Sequence, residues 1–343
     1  MSLYPLFRSL AFKLDPERAH AATIRMLELT QPVAPPAFPD SLRSSVAGIA
    51  FPSPVGLAAG FDKNAQVPAQ MLGLGFGFVE VGTLTPLPQP GNPKPRMFRL
   101  VEDQAVVNRL GFNNEGQQRA LRRLKAARHR RGPIGVNVGA NKDSADRIAD
   151  YVRGVETMSP VADYLTINIS SPNTPGLRGL QDAGALEELL AAVRGARNDK
   201  PLFLKVAPDL DDEDPDRIVR AAVDHGVNAI IVSNTTVSRP ALKSRFAREQ
   251  GGLSGAPLKS LALEALRKFR SASGGAMPLI GVGGIATADD AWERIRAGAS
   301  LIQLYSAMVF EGPGIARALA TELAERMQRS GFASISEAVG TER

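Results

Sequence analysis

The residues best suited to chemistry are amides, lysines and one serine, and they recur just after short apolar runs. Asn168-Ile169-Ser170-Ser171-Pro172-Asn173-Thr174 follows the β-branched run from Tyr164 to Ile167 and leads into Pro175-Gly176-Leu177-Arg178-Gly179. Asn137 ends another such run, Ser233-Asn234-Thr235-Thr236 a third, and Asn108-Arg109-Leu110-Gly111-Phe112-Asn113-Asn114 closes a fourth. Each amide offers both a donor and an acceptor, so several together suit a planar ring with alternating N–H and C=O edges. Singly, each would serve as an ordinary turn or cap residue. Lys63 lies in Ala58-Ala59-Gly60-Phe61-Asp62-Lys63-Asn64, where small residues admit a flat ligand to the backbone, and Lys205 ends the run Leu204-Lys205-Val206. Either lysine can pair with an anion; Lys205 could instead form a Schiff base, although no acid is clearly placed to work a carbinolamine.

Glycines add a second theme. Gly281-Val282-Gly283-Gly284-Ile285 and Tyr305-Ser306 end the last two apolar runs, with Gly251-Gly252-Leu253-Ser254-Gly255 in the loop before them. Backbone N–H groups at such places seat phosphates.

The elements that must carry these tips read as a repeating alternation. Core strands are expected at 54–58, 78–81, 134–138, 164–167, 202–206, 229–232, 279–282 and 301–304, with helices near 64–73, 114–128, 143–157, 184–197, 213–225, 258–271, 287–297 and 313–329. Eight strands, each followed by a helix, predict an α/β fold, a (β/α)8 TIM barrel, with its chemistry at the C-terminal strand ends; a doubly wound open sheet is the alternative. Wide gaps after the second and sixth strands hold insertions, and Met97–Leu100 and Ala105–Leu110 read as extra strands over the mouth.

Residues 1–38 differ. Leu3, Leu6, Phe7, Leu10 and Leu14 recur at helical spacing with Arg8 and Ser9 turned away, Asp15-Pro16 restarts a helix, and Ile24, Met26, Leu27 and Leu29 precede a proline-rich linker. Two readings stand: a helical pair packed on its own barrel, or an amphipathic hairpin lying on a membrane surface. The domain division is 1–38 for this extension and linker and 39–343 for the barrel.

Composition narrows the chemistry. The 343 residues contain no cysteine, which excludes disulfides, thiolate metal sites and a catalytic thiol in this chain. The three histidines, His20, His129 and His225, are far apart, so no metal site is expected. The charge of +6 suits anionic small molecules, a lipid surface or nucleic acid alike. The basic run Arg119, Arg122, Arg123, Lys125, Arg128, Arg130 and Arg131 has neither interleaved aromatics nor a recognisable binding module, so a solvated helix face is favoured over nucleic acid. No apolar stretch is long enough to span a bilayer, and the N-terminus shows no secretory signal pattern.

Together, Ala59 to Asn64, Asn108 to Asn114, Asn168 to Thr174, Ser233 to Thr236, Gly251 to Gly255 and Gly281 to Ile285 resemble the dihydroorotate dehydrogenases, over nearly the whole chain. Ser171 at the position of the base, and the N-terminal extension with Asp15-Pro16-Glu17-Arg18-Ala19-His20, are similar to the class 2, quinone-dependent, membrane-associated branch. The resemblance implies oxidation of (S)-dihydroorotate to orotate in pyrimidine biosynthesis, with one FMN per chain and ubiquinone or menaquinone as electron acceptor. By the same resemblance, Ala59, Gly60, Phe61, Asp62, Lys63, Thr83, Asn137, Asn168, Lys205, Ser233, Gly255, Gly284, Tyr305 and Ser306 match FMN-binding positions. Lys63, Asn108, Arg109, Leu110, Gly111, Phe112, Asn168, Asn173, Asn234 and Thr235 match those around dihydroorotate. Ser171 matches the catalytic base, with Thr174 or a trapped water as its proton relay, and His20, Arg99 and Tyr305 match positions near the quinone head. It further implies a peripheral protein of the cytoplasmic face of a bacterial inner membrane, with a mitochondrial location second, and no nucleic acid or partner protein needed for catalysis.

Overall fold

The computed structural model describes residues 4–127, 132–173, 177, 179 and 182–342. Of the expected features, Leu3, Arg128, His129, Arg130, Arg131, Thr174, Pro175, Gly176 and Arg178 lie outside the described residues. In chain order the elements are α1 (Tyr4–Ala11), α2 (Pro16–Glu28), β1 (Ser44–Val46), β2 (Ile49–Phe51), β3 (Val55–Leu57), α3 (Pro68–Gly73), β4 (Phe78–Leu84), β5 (Met97–Leu100), β6 (Ala105–Asn108) and α4 (Gln117–Ala126). There follow β7 (Ile134–Val138), α5 (Arg147–Met158), β8 (Tyr164–Asn168), α6 (Ala183–Arg194), β9 (Leu202–Val206), α7 (Asp214–Asp224) and β10 (Ala229–Val232). The chain ends with β11 (Gly252–Gly255), α8 (Lys259–Ala272), β12 (Leu279–Val282), α9 (Ala288–Arg296), β13 (Ala299–Leu304), α10 (Ser306–Glu311), α11 (Ile315–Arg329) and α12 (Ile335–Ala338).

The strands β3, β4, β7, β8, β9, β10, β12 and β13 close in that order into a parallel barrel. Closure removes the open doubly wound sheet. Each barrel strand is a short, buried run, as a sheet covered on one face by helices and filled on the other requires.

Along each strand every second residue points inward, and the inward set is layered. Phe78, Tyr164, Phe203, Ile231, Ile280 and Leu301 form an apolar floor, joined by Val46 and Phe51. The last two belong to a hairpin, β1–β2, that plugs the bottom of the barrel and that no sequence pattern here announced. Its two-residue turn, Ala47-Gly48, has positive φ at both positions (53° and 77°), the geometry that matches the twist of paired strands. Floor and plug leave the polar tips at the opposite, open end.

Three departures from the expected elements matter for the site. The helix expected over 64–73 begins only at Pro68, because the buried Asp62 carboxylate accepts the N–H groups of Gln66 (2.8 Å), Val67 (2.8 Å) and Asn64 (3.3 Å) and holds those residues as a loop. The two insertions join in one antiparallel sheet, ordered β11, β6, β5, above the mouth. Its third strand, β11, had read as a glycine loop. Gly255 is needed there, since a Cβ at this residue (φ 95°) would lie 2.3 Å from the Gln104 carbonyl oxygen.

The leader forms its two helices, and Asp15 caps α2 by accepting the Arg18 N–H at 2.9 Å, with Pro16 in the first turn. It packs on the barrel. The Tyr4 hydroxyl donates to the Val309 carbonyl (2.7 Å), Arg96 pairs with Glu17 (2.7 Å), and Arg99 donates to the carbonyls of Phe12 (3.2 Å) and Leu14 (3.0 Å). Arg8, expected on the side of the helix away from its apolar stripe, donates from its guanidinium to the Phe310 carbonyl at 2.8 Å. The carbonyls near the end of the short helix α10 lack helical partners, and a long flexible cation satisfies one of them. Leu10, Leu14, Met26 and Leu29 are more than half exposed. No helix among the described residues is long and apolar enough to cross a membrane.

Candidate active site

A cavity of about 850 Å³ opens at the C-terminal ends of the barrel strands, and it runs without interruption beneath the leader helices. Ala58, Thr83, Asn168, Lys205, Ser233 and Asn234 line its barrel end; Leu10, Phe12, His20, Thr23 and Met26 line its leader end. That volume is within the range of pockets that enclose a cofactor or a drug-sized ligand.

At the barrel end the amides are held by one another and by hydroxyls. Asn168 Nδ2 donates to Thr83 Oγ1 (2.9 Å), whose own hydroxyl donates to Asn137 Oδ1 (2.6 Å). Asn168 Oδ1 accepts from the Ser170 hydroxyl (3.1 Å), and Asn234 Nδ2 donates to Ser170 Oγ (2.9 Å). The buried Tyr151 hydroxyl donates to the Asn168 carbonyl at 2.6 Å, pinning the end of β8 from the helix layer. Ser171 is buried, and its Oγ accepts the Asn173 N–H at 3.3 Å. Asn173 reaches toward Asn108 on the insertion sheet, with 3.4 Å between the amides, so loop and insertion meet over the cavity.

Two lysines face this space. Lys63 donates to the Gly60 carbonyl at 2.7 Å. Burial pushes its ammonium down to about 8, opposed by the Glu17 and Asp62 carboxylates. Lys205 is likewise pushed down by burial, with the Glu80 carboxylate acting against the shift.

The glycine corner follows β12. Arg294, fully buried, donates to the carbonyls of Gly283 (2.9 Å) and Lys259 (2.6 Å). In a planar trans peptide the N–H points opposite the C=O, so this bond turns the Gly284 N–H away from Arg294. A Cβ at Gly284 (φ 68°) would lie 2.5 Å from the Lys259 Cα, which leaves room for glycine alone. Across the corner, the Ser306 hydroxyl donates to Ser254 Oγ at 2.8 Å.

At the leader end, His20 sits edge-on to Phe61 (ring centroids 5.3 Å apart) and its Nδ1 lies 3.4 Å from the Tyr305 hydroxyl. Burial, and then the nearby Lys63 cation, push His20 down to about 3, so its imidazole is neutral at physiological pH. Burial pushes the Tyr305 hydroxyl up, and it stays protonated.

The family description Dihydroorotate dehydrogenase matches residues 41–327. The chain is 61% identical to the dihydroorotate dehydrogenase (quinone) of Novosphingobium aromaticivorans, over all of both chains. It is 62% identical to that of Erythrobacter litoralis, over 99% of this chain and all of the relative. The chain belongs to the dihydroorotate dehydrogenase family. Its likeness to these full-length quinone-dependent relatives places it in the class 2 branch. Among solved structures, the dihydroorotate dehydrogenase of Eimeria tenella in complex with ferulenol superimposes with a TM-score of 0.91 at 39% identity, covering 95% of each chain.

Most of the site residues expected from the family resemblance line the one cavity, those matched to FMN and dihydroorotate at the barrel end and His20, Arg99 and Tyr305 toward the leader. Three do not. Asp62 spends its carboxylate on the loop N–H groups described above, and Asn137 lies one layer deeper, between Thr83 and Glu80. Arg109 turns outward, with its guanidinium over the Phe98 ring (4.7 Å) and paired with Glu249 at 2.7 Å. Sequence reasoning missed Glu80 and Gln303, both fully buried, and included the cavity-lining Ser254 and Gly283 only as members of their glycine motifs. A signal for the first two existed: each stands between apolar neighbours inside a barrel strand, in Val79-Glu80-Val81 and Ile302-Gln303-Leu304, a placement that costs free energy unless it is partnered. Among the described residues no cluster of acidic or imidazole groups could hold a metal ion.

Proposed function

We propose that the chain oxidises (S)-dihydroorotate to orotate and passes the electrons to a membrane quinone through bound FMN, as a step of pyrimidine synthesis. The observation that carries the reading is the single cavity joining the amide-lined barrel mouth to the apolar leader. A reaction with one polar and one lipid-soluble partner needs both environments in reach of one cofactor.

The residues present fit FMN. No backbone group among the described residues accepts the N–H groups of Gly283, Gly284 and Ile285, and these residues line the same cavity as Ser254 and Ser306, a donor set suited to a phosphate. Lys205 is buried with no hydrogen bond from its ammonium among the described residues, and Gln303 Oε1 is a buried acceptor without a partner. Such groups suit a ring bearing both carbonyl and N–H edges. Bound FMN supplies the hydride acceptor and the onward transfer of electrons.

The protein's own part is orientation and proton transfer. Lys63 holds the substrate carboxylate, while Asn108, Asn168, Asn173 and Asn234 fix the ring's amide edges, which makes the reaction effectively intramolecular. Ser171 takes the ring proton. A free hydroxyl is a weak base; the Asn173 N–H directed at its oxygen stabilises negative charge there, and Thr174 or an enclosed water carries the proton onward. Residues 1–38 form the quinone-access unit, with His20, Arg99 and Tyr305 near the quinone head. Burying a leucine or methionine side chain is worth about 1.5–3 kcal/mol. Leu10, Leu14, Met26 and Leu29 thus give the leader a purchase on a lipid surface, in keeping with a peripheral protein of the cytoplasmic face of a bacterial inner membrane.

Anaerobic addition of dihydroorotate to the purified protein should bleach its flavin absorbance, and later addition of a quinone should restore it. A yellow protein that dihydroorotate does not bleach points to another flavin oxidoreductase. A colourless one from which borohydride traps a carbonyl substrate on Lys205 points to a lyase.

A further inference from the structure

Beneath the mouth, the barrel interior holds a carboxylate that the mechanism above does not use. Strand alternation puts Phe78, Tyr164, Phe203 and Leu301 in the floor and Glu80, Thr166, Lys205 and Gln303 one step higher. Glu80 is fully buried on β4. It accepts hydrogen bonds from Asn137 Nδ2 (2.8 Å), Gln303 Nε2 (2.9 Å), Thr166 Oγ1 (3.2 Å) and the Tyr164 hydroxyl (3.3 Å). It is the acceptor in all four.

That restriction propagates upward. Because Glu80 accepts only, Asn137 must turn Nδ2 down to it, which leaves Oδ1 facing Thr83. The Thr83 hydroxyl then spends its proton on Asn137 and offers its oxygen to Asn168 Nδ2. Asn168 Oδ1 is thereby the acceptor presented to Ser170 and Asn234. The same logic turns the Gln303 amide, sending Oε1 away from Glu80 as an acceptor with no protein partner. Lys205, in the same inward layer, faces an opposite charge that acts against the downward push of burial.

We infer that Glu80 is a positioning residue: from below the cofactor site it sets the direction of the amide chain up to Asn168 and Asn234 and places a carboxylate in the same inward layer as the Lys205 ammonium. The inference rests on the FMN reading above.

The test compares the wild-type holoenzyme with Glu80→Gln and with Glu80→Gln/Lys205→Met, measuring the midpoint potential of the bound flavin between about pH 6 and 9. In Glu80→Gln the plot of potential against pH should gain a bend as Lys205 loses its proton, and the flavin dissociation constant should rise at least about tenfold. The bend should vanish in the double variant. A general loss of packing would lower the melting temperature without adding a titration. A Glu80→Gln profile as unbent as that of the wild type overturns the inference, whatever happens to affinity or melting. Where Glu80→Gln alone yields no folded protein, the double variant decides, since removing both buried charges is far less costly than stranding one. A folded, flavin-retaining double variant supports the pairing, and one that also fails to fold overturns it. A wild-type protein that binds no flavin at all sinks the FMN reading itself, and the inference with it.

Discussion

The barrel mouth and the leader use polar side chains for opposite ends. At the mouth, Thr83, Asn137, Asn168, Ser170 and Asn234 bond to one another in a directed chain, so the position of each amide depends on its neighbours. At the leader, Tyr4, Arg8 and Arg99 each reach across to main-chain carbonyls, and Arg96 to a single carboxylate. Such ties hold a hairpin in place with Leu10, Leu14, Met26 and Leu29 turned out; they do not align a reacting atom. The difference teaches that hydride and proton transfer need mutually constrained groups, whereas admitting a lipid-soluble molecule needs only a tethered apolar surface.

The sharpest way to break this contrast is Ser171→Ala. The variant should keep its flavin, and stopped-flow reduction by dihydroorotate should slow by about 10²–10⁴, the usual worth of a general base. Reduction at the wild-type rate removes Ser171 from the proton step.

Next in size is deletion of residues 1–38. Turnover with a long-tailed quinone in vesicles should fall on the order of 10²-fold as the effective concentration at the membrane is lost. Flavin reduction by dihydroorotate should remain measurable. Undiminished quinone turnover would put the leader outside the mechanism.

The smallest effect sharpens the comparison where the two regions meet. His20 is held neutral by burial, at about 3 against an ordinary value near 6.5. Between these values the unfolded chain binds the proton that the native chain refuses. Stability should therefore fall as the pH drops through that window, by at most about 1.4 kcal/mol per pH unit from this group. Melting curves of wild type and His20→Gln should converge on acidification. Parallel curves would show that His20 is not desolvated in the native protein.

How much of this was legible depended on whether a signal was local. The barrel strands stood out as short apolar runs alternating with amphipathic helical patterns, and Asp15-Pro16 marked a helix start that the structure reproduces. The β11 strand was illegible because its glycines serve close approaches, Gly252 to Thr235 and Gly255 to Gln104, rather than strand propensity. Helical spacing shows which residues share a face, not what that face meets, so the bond from Arg8 to the end of α10 could not be read in advance. Arg109 and Asp62 lie inside the right motifs, yet their charges are spent on Glu249 and on loop N–H groups.

By itself, the sequence determined the alternation of strand and helix, the polar character of the strand tips and the absence of thiol chemistry. These follow from composition and period, which are properties of neighbouring residues. Tertiary structure decided that the barrel closes, that two distant insertions share one sheet, and that leader and mouth open into one cavity. It also decided that Glu80, one carboxylate among many in the sequence, stands under the site. Barrel closure brings β4, β7, β8 and β13 around a common axis, and only there do Glu80, Asn137, Thr166 and Gln303 come within hydrogen-bonding reach.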